Sequence, residues 1–140
     1  MSQENLELVR RLFDVYNERS FEENIDLIEP DIVWDLSRVE LPDGSTYTGR
    51  FELSGFVETW EEGFESEHVE VLEMIDAGDQ VVTMVHHSGR GKLSQIEIDQ
   101  RFAVVWTLRD GRAARMEAYP TREEALEAVG LSQQDAHADS

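Results

Sequence analysis

The chain has 140 residues, 31 of them acidic against 12 basic, a formal net charge of −19, and no cysteine. That length suits one domain able to bury an ordinary core unaided. The charge argues against nucleic acid and anionic membranes as partners, since both need clustered Lys and Arg, and the missing thiols exclude disulfides, thiolate metal sites and a cysteine nucleophile.

The start of the sequence is polar and runs directly into an amphipathic pattern, and no apolar run approaches membrane-spanning length. The expectation is a soluble cytoplasmic protein. Leu8, Val9, Leu12, Phe13 and Tyr16 form one broad helical stripe over residues 3–19. Ser20 and Glu23 have capping-box spacing, Ile25 and Ile28 repeat on one face and Pro30 follows, which predicts a second helix. Residues 32–36 read as a short strand, and residues 37–48, with Pro42 and Asp43-Gly44, as a loop or small irregular hairpin.

A third helix is predicted over about residues 50–64, where Leu53, Phe56, Val57, Trp60 and Phe64 share a face. Between Arg50 and Arg90 there are ten acidic residues and no Lys or Arg. They read as a solvated face or as a docking patch for a basic partner.

The period then changes to two. Residues 68–77, 80–88, 96–109 and 112–119 are four strands, and their short connections make them an antiparallel meander. The last connection, Asp110-Gly111, is among the strongest hairpin signals, because a tight turn needs the positive φ that glycine tolerates. A final helix starts at Thr121, whose capping box closes with Glu124, and stops at Gly130. The single domain is therefore expected to span residues 1–131, with a disordered polar tail over 132–140.

In the long strand, Ile96, Ile98, Phe102, Val104, Trp106 and Leu108 point one way, interrupted by Gln100. Glu97, Asp99, Arg101, Ala103, Val105, Thr107 and Arg109 point the other. The second face is polar at its ends but small or apolar at Ala103 and Val105, so alternation alone leaves open which face is the inside. Helices grouped ahead of a meander indicate an α+β fold, a curved antiparallel sheet over three N-terminal helices with a short C-terminal helix.

The sequence resembles the SnoaL-like branch of the nuclear transport factor 2-like superfamily, relatives of polyketide cyclases and ketosteroid isomerases. The likeness is carried by Leu12-Phe13 through Asn17, Ile32-Val33-Trp34-Asp35, Tyr47-Thr48-Gly49-Arg50, Gly78-Asp79, Arg109-Asp110-Gly111-Arg112 with Val104 before it, and Glu117-Ala118-Tyr119 with the Arg122 to Ala128 run. The resemblance implies a conical α+β barrel with a pocket, and a homodimer through the outer sheet face. It would place Asp99, Arg101, Ala103, Val105, Met84, His86, Ser88, Met116 and Ala118 inward, and Phe102, Val104 and Trp106 against the partner.

On that geometry the candidate catalytic residues are Asp35, His86 and Arg101. A carboxylate against apolar walls has its pKa raised toward a range useful for proton transfer, a histidine is its natural proton partner, and an arginine can hold a developing negative charge. Each also has a structural reading: Asp35 starting a loop, His86 hydrogen-bonded in the sheet, Arg101 at the surface. Tyr16, Trp34, Phe56, Trp60, Met84, Ala103, Val105 and Met116 would contact the ligand. His86 and His87 point to opposite faces and cannot share a metal, no phosphate loop is present, and no metal or cofactor is expected. The isomerases' oxyanion-hole donors are replaced by Leu12 and Ala103, so steroid isomerisation does not transfer. The functional expectation is a pocket protein for a small, mostly apolar organic molecule, with cyclase- or isomerase-type proton transfer beside a carbonyl. The alternative is a noncatalytic binding or dimerisation module.

Overall fold

The computed structural model describes residues 2–39 and 45–131. Helix α1 spans Ser2–Asn17 and buries Leu6, Val9, Leu12 and Phe13. It stops where Arg19 takes a left-handed φ of 57°. The predicted second helix is instead a short 3-10 helix, Glu22–Leu27, kinked at Asn24. Its proposed cap fails because Ser20 Oγ accepts from the Asn24 side chain, and Ile28 already begins a strand.

That strand, β1 (Ile28–Asp35), runs parallel to the last strand and shifts register between Ile28 and Val33. Pro30 falls inside the irregular stretch, where a missing backbone N–H costs no ladder bond. Thr46–Thr48 form a short edge strand, β2. Residues 40–44 of the expected loop lie outside the described residues, as does the polar tail 132–140. Helix α2 covers Gly49–Glu62.

The meander forms as predicted, with longer early strands: β3 (Phe64–Ala77), β4 (Gln80–Gly91), β5 (Glu97–Arg109) and β6 (Arg112–Tyr119). Asp110 and Gly111, with φ of 54° and 75°, close the β5–β6 hairpin as the dipeptide demands. The six strands make one sheet in the order β2-β1-β6-β5-β4-β3. Helix α3 (Arg122–Ala128) follows, with Thr121 Oγ1 accepting from the Glu124 amide at 3.1 Å.

The two sheet faces have different covers. Val81, Val85, Val104, Trp106, Leu108 and Met116 join α1, α2 and β1 in the main core. Ile75, Val82, Ala103 and Val105 form a second core with Ala125 and Leu126 of α3 on the other face. This corrects the expected orientation. Phe102, Val104 and Trp106 face the interior, not a partner subunit, while Ala103 and Val105 lie beneath α3. Their small, apolar character reflects that helix.

Candidate functional site

Between the sheet and the helices lies a cavity of about 110 Å³, walled by α1 (Phe13, Tyr16), Phe21, β1 (Trp34), α2 (Phe56, Trp60), β4 (Val85, His87), β5 (Phe102, Val104, Trp106) and Met116 of β6. Two aromatic groups stand in these walls. Phe56, Trp60 and His87 follow one another at centroid distances of 5.6 and 6.0 Å, and Trp106 meets Phe13 and Trp34 edge-on at 5.5 and 5.7 Å. Edge-on and offset contacts are the favoured aromatic arrangements.

The polar groups converge on one atom. Glu67 Oε2 accepts from the Tyr16 hydroxyl at 2.5 Å and from Trp60 Nε1 at 2.6 Å, and lies 2.7 Å from His87 Nε2. Three elements supply these groups, and further hydrogen bonds position two of them, Tyr16 and His87. Asn17 grips the Val69 backbone in both directions, Nδ2 donating to the carbonyl at 2.8 Å and Oδ1 accepting from the amide at 2.9 Å. That clamp fastens the end of α1 to β3, so Tyr16 meets Glu67. His87 stands across from Val69 in the β3–β4 ladder, and from Gln100 in the β4–β5 ladder. Gln100 Nε2 lies 3.3 Å from His87 Nδ1.

Burial, followed by the Glu67 charge and hydrogen bond, pushes the Tyr16 phenol well above its ordinary pKa. Glu61, at the end of α2, is raised by burial, with Glu67 and Glu23 adding to the shift and Arg19 opposing it. Its Oε2 is the one buried side-chain polar atom without a hydrogen-bond partner among the described residues.

Of the residues expected at the site, Tyr16, Trp34, Phe56, Trp60 and Met116 line the cavity. The others lie elsewhere. Met84 packs with the α3 core, beside Ala103 and Val105. His86 is on that same outer face, with Nε2 2.7 Å from Asp99 and Nδ1 3.8 Å from Glu70, and Arg101, its cross-strand neighbour, is exposed. Asp35 alternates with the cavity residue Trp34 and so points outward, where it accepts from Ser37 Oγ, Thr46 Oγ1 and Arg38 Nη1 at 2.6, 3.1 and 2.8 Å. Burial raises its pKa, but the Ser37 and Arg38 hydrogen bonds outweigh burial and hold the carboxyl well below the usual range. That is the reverse of the shift expected for a base.

Sequence reasoning missed Glu67 and His87. A signal for His87 was present: Gln100 is the polar break in the apolar face of β5, and antiparallel register sets His87 opposite it. Among the described residues, no three His, Asp or Glu side chains are grouped to hold a metal ion, and no helix is long and apolar enough to cross a membrane.

Residues 9–116 match the SnoaL-like domain family. The chain belongs to that family. The solved structures similar to this SnoaL-like domain include TerC, co-crystallised with polyporic acid, at 23% identity and TM-score 0.71 over 90% of this chain and 98% of that one. A SnoaL-like polyketide cyclase candidate from Jannaschia sp. CCS1 is 21% identical with TM-score 0.72, over 84% and 85% of the two chains. A protein of ketosteroid isomerase-like fold from Catenulispora acidiphila, in complex with trimethylamine, is 21% identical with TM-score 0.71, over 89% and 93%. At these identities the likeness is one of fold. None of the curated proteins matches the chain.

Proposed function

We propose that this SnoaL-like domain binds one compact, mostly apolar organic molecule in its aromatic cavity and moves a proton next to a carbonyl of that molecule. The carrying observation is the convergence of Tyr16, Trp60 and His87, three residues in the wall of a mostly apolar cavity, on Glu67 Oε2 behind that wall. The phenol and the imidazole stand at the cavity, and the buried carboxylate bonded to both is a proton acceptor one hydrogen bond away from a bound ligand's neighbours. Glu67 would take the proton, and Tyr16 and His87 would stabilise the charge that forms. Asp35, His86 and Arg101 lie on the outer face and hold no part in this reading. Fold neighbours crystallised with polyporic acid and with trimethylamine support small-molecule binding as the use of the cavity.

A noncatalytic binding module is the second reading. It is favoured by the way Tyr16, Trp60 and His87 are all spent on Glu67, as in a satisfied structural network.

Both readings meet in one experiment. Neutral compact ketones are screened by thermal shift, where a ligand at about a hundred times its Kd stabilises the fold by roughly 2.7 kcal/mol. Deuterium exchange at the carbon beside the carbonyl of each hit is then followed for wild type and Glu67→Gln. Exchange that is accelerated by wild type and lost in Glu67→Gln, with binding retained, is the expected result. Binding without accelerated exchange in wild type transfers the function to the noncatalytic module.

A further inference from the structure

Each end of the sheet is guarded. β2, at one end of the strand order, is three residues long. β3, at the other, carries two register shifts, and Asn17 occupies the Val69 amide and carbonyl on its free side. Short strands, bulges and covering groups are the usual protections of a strand edge. A further edge opens within the sheet and has none of them. β6 ends at Tyr119, opposite Ala103, while β4 stays paired with β5 as far as Glu97. From Glu97 to Phe102, among the described residues, β5 therefore has a strand on one side alone.

The direction of its backbone groups follows from the two ends of the β4 ladder. Leu108 N donates to the Asp79 carbonyl at 2.9 Å, and the Ile96 carbonyl accepts from Gly91 N at 3.0 Å. Both are even-numbered residues of one ladder that runs without a register shift. Even residues of β5 thus turn their N–H and C=O toward β4, and Glu97, Asp99 and Arg101 turn theirs to the open side. The stretch contains no proline or lysine. Glu97, Asp99 and Arg101 also expose their side chains, on the outer face.

We propose that a second copy of this chain pairs with this edge, β5 against β5, antiparallel about a two-fold axis through Asp99. A two-fold axis normal to the sheet keeps each face with itself, so residues that meet must have the same parity. An axis through Gln100 would bring the second copy's Glu97 against Ala103, a place that Tyr119 already fills. The axis through Asp99 brings Gln95 there instead, beyond the strand, where a φ of 59° has turned the chain. In this register Glu97 faces the second copy's Arg101, and Ile96 faces its Phe102, each contact made twice. Arg101 has no ion pair of its own among the described residues, because the adjacent carboxylates of Glu97 and Asp99 are engaged by Arg90 and His86 at 2.6 and 2.7 Å. Arg90 holds only Oε1 of Glu97, which leaves Oε2 for the incoming guanidinium. Ile96, 65% exposed, is covered by the second copy's Phe102, a residue of the cavity wall. About six backbone hydrogen bonds close between the odd residues. One contact opposes the pairing: Asp99 meets Asp99 on the axis, and like charges directly opposite weaken a strand pair.

The test is sedimentation equilibrium of the full chain, carried up to about 1 mM because so short an edge falls below the roughly 20–30 residues a side of a standard interface. Wild type is expected to dimerise. Asp99→Pro removes an N–H on the open side and is expected to abolish the dimer in a folded chain. Arg101→Glu sets like charges across the axis twice and is expected to weaken association about tenfold, and adding Glu97→Arg restores opposite charges and recovers that loss. Asp99→Asn removes the repulsion on the axis and is expected to tighten the dimer. A monomeric wild type overturns the inference. A dimer indifferent to Arg101→Glu, or one that the charge exchange does not restore, overturns it as well, since the contact then lies elsewhere or in another register. Arg101 is exposed, so the charge exchange decides the question even if Asp99→Pro does not fold.

Discussion

His87 Nε2 lies 2.7 Å from Glu67 Oε2, with the two side chains 4% and 3% exposed. The pair sits on neighbouring strands, β4 and β3, and the third and fourth groups of its network arrive on α1 and α2. The cavity chemistry therefore depends on two helices being docked correctly against one edge of the sheet.

Removing the acceptor exposes that dependence. Glu67→Leu strands the Tyr16 hydroxyl and Trp60 Nε1 and takes away the partner of His87 Nε2, and each buried donor left unpaired costs about 1–3 kcal/mol. Urea unfolding should show a loss at least as large as one such penalty, whereas Glu67→Gln, which keeps a carbonyl acceptor, should lose less. Equal stability of the leucine variant and wild type would mean that the network is not formed in solution.

Asp35 titrates in the opposite sense from a catalytic base. Its folded-state pKa is depressed, so the stability it contributes is fully present above the unfolded value of about pH 4. That contribution drains away as pH falls through the lower folded value. Wild type should exceed Asp35→Asn in stability at neutral pH, and the gap should narrow on acidification. A gap that stays constant, or widens in acid, would contradict the hydrogen-bonded carboxylate seen at the β1 terminus.

Two glycines on the same sheet should respond differently to alanine. Gly111 needs its φ of 75° but has open space around an added Cβ, so Gly111→Ala costs about 1 kcal/mol of backbone strain and leaves the cavity unchanged. An added Cβ at Gly89 would stand 2.4 Å from the Ser66 carbonyl oxygen and 3.1 Å from Glu67 Cα. Gly89→Ala must push β3 aside, at about 1–3 kcal/mol. Tryptophan fluorescence should change in Gly89→Ala and not in Gly111→Ala, because only the former displaces Glu67 from Trp60.

The outer core can be probed at Leu126, 1% exposed on α3. Leu126→Ala should cost about 2–5 kcal/mol in denaturant unfolding. A loss near zero would mean that α3 does not cover Ala103 and Val105.

Local signals were legible in the sequence because short-range sterics and hydrogen bonds set them. The Asp110-Gly111 turn, the Thr121 cap, the helical stripes of α1 and α2 and the alternation of all four meander strands belong to this class. The Ser20–Glu23 pair was a false signal of the same kind, overridden when Ile28 entered the sheet beside β6. Period-two alternation told which residues share a face of β5, but not which face is inside. That choice was decided by α3, which folds back over Ala103 and Val105 and leaves Phe102, Val104 and Trp106 to the cavity. Once the face changed, Met84 and His86 gave way to Val85 and His87, and Asp35 to its inward neighbour Trp34. The Glu67 cluster joins residues 16, 60, 67 and 87 from four elements, and only their packing brings four such distant side chains to one carboxylate oxygen.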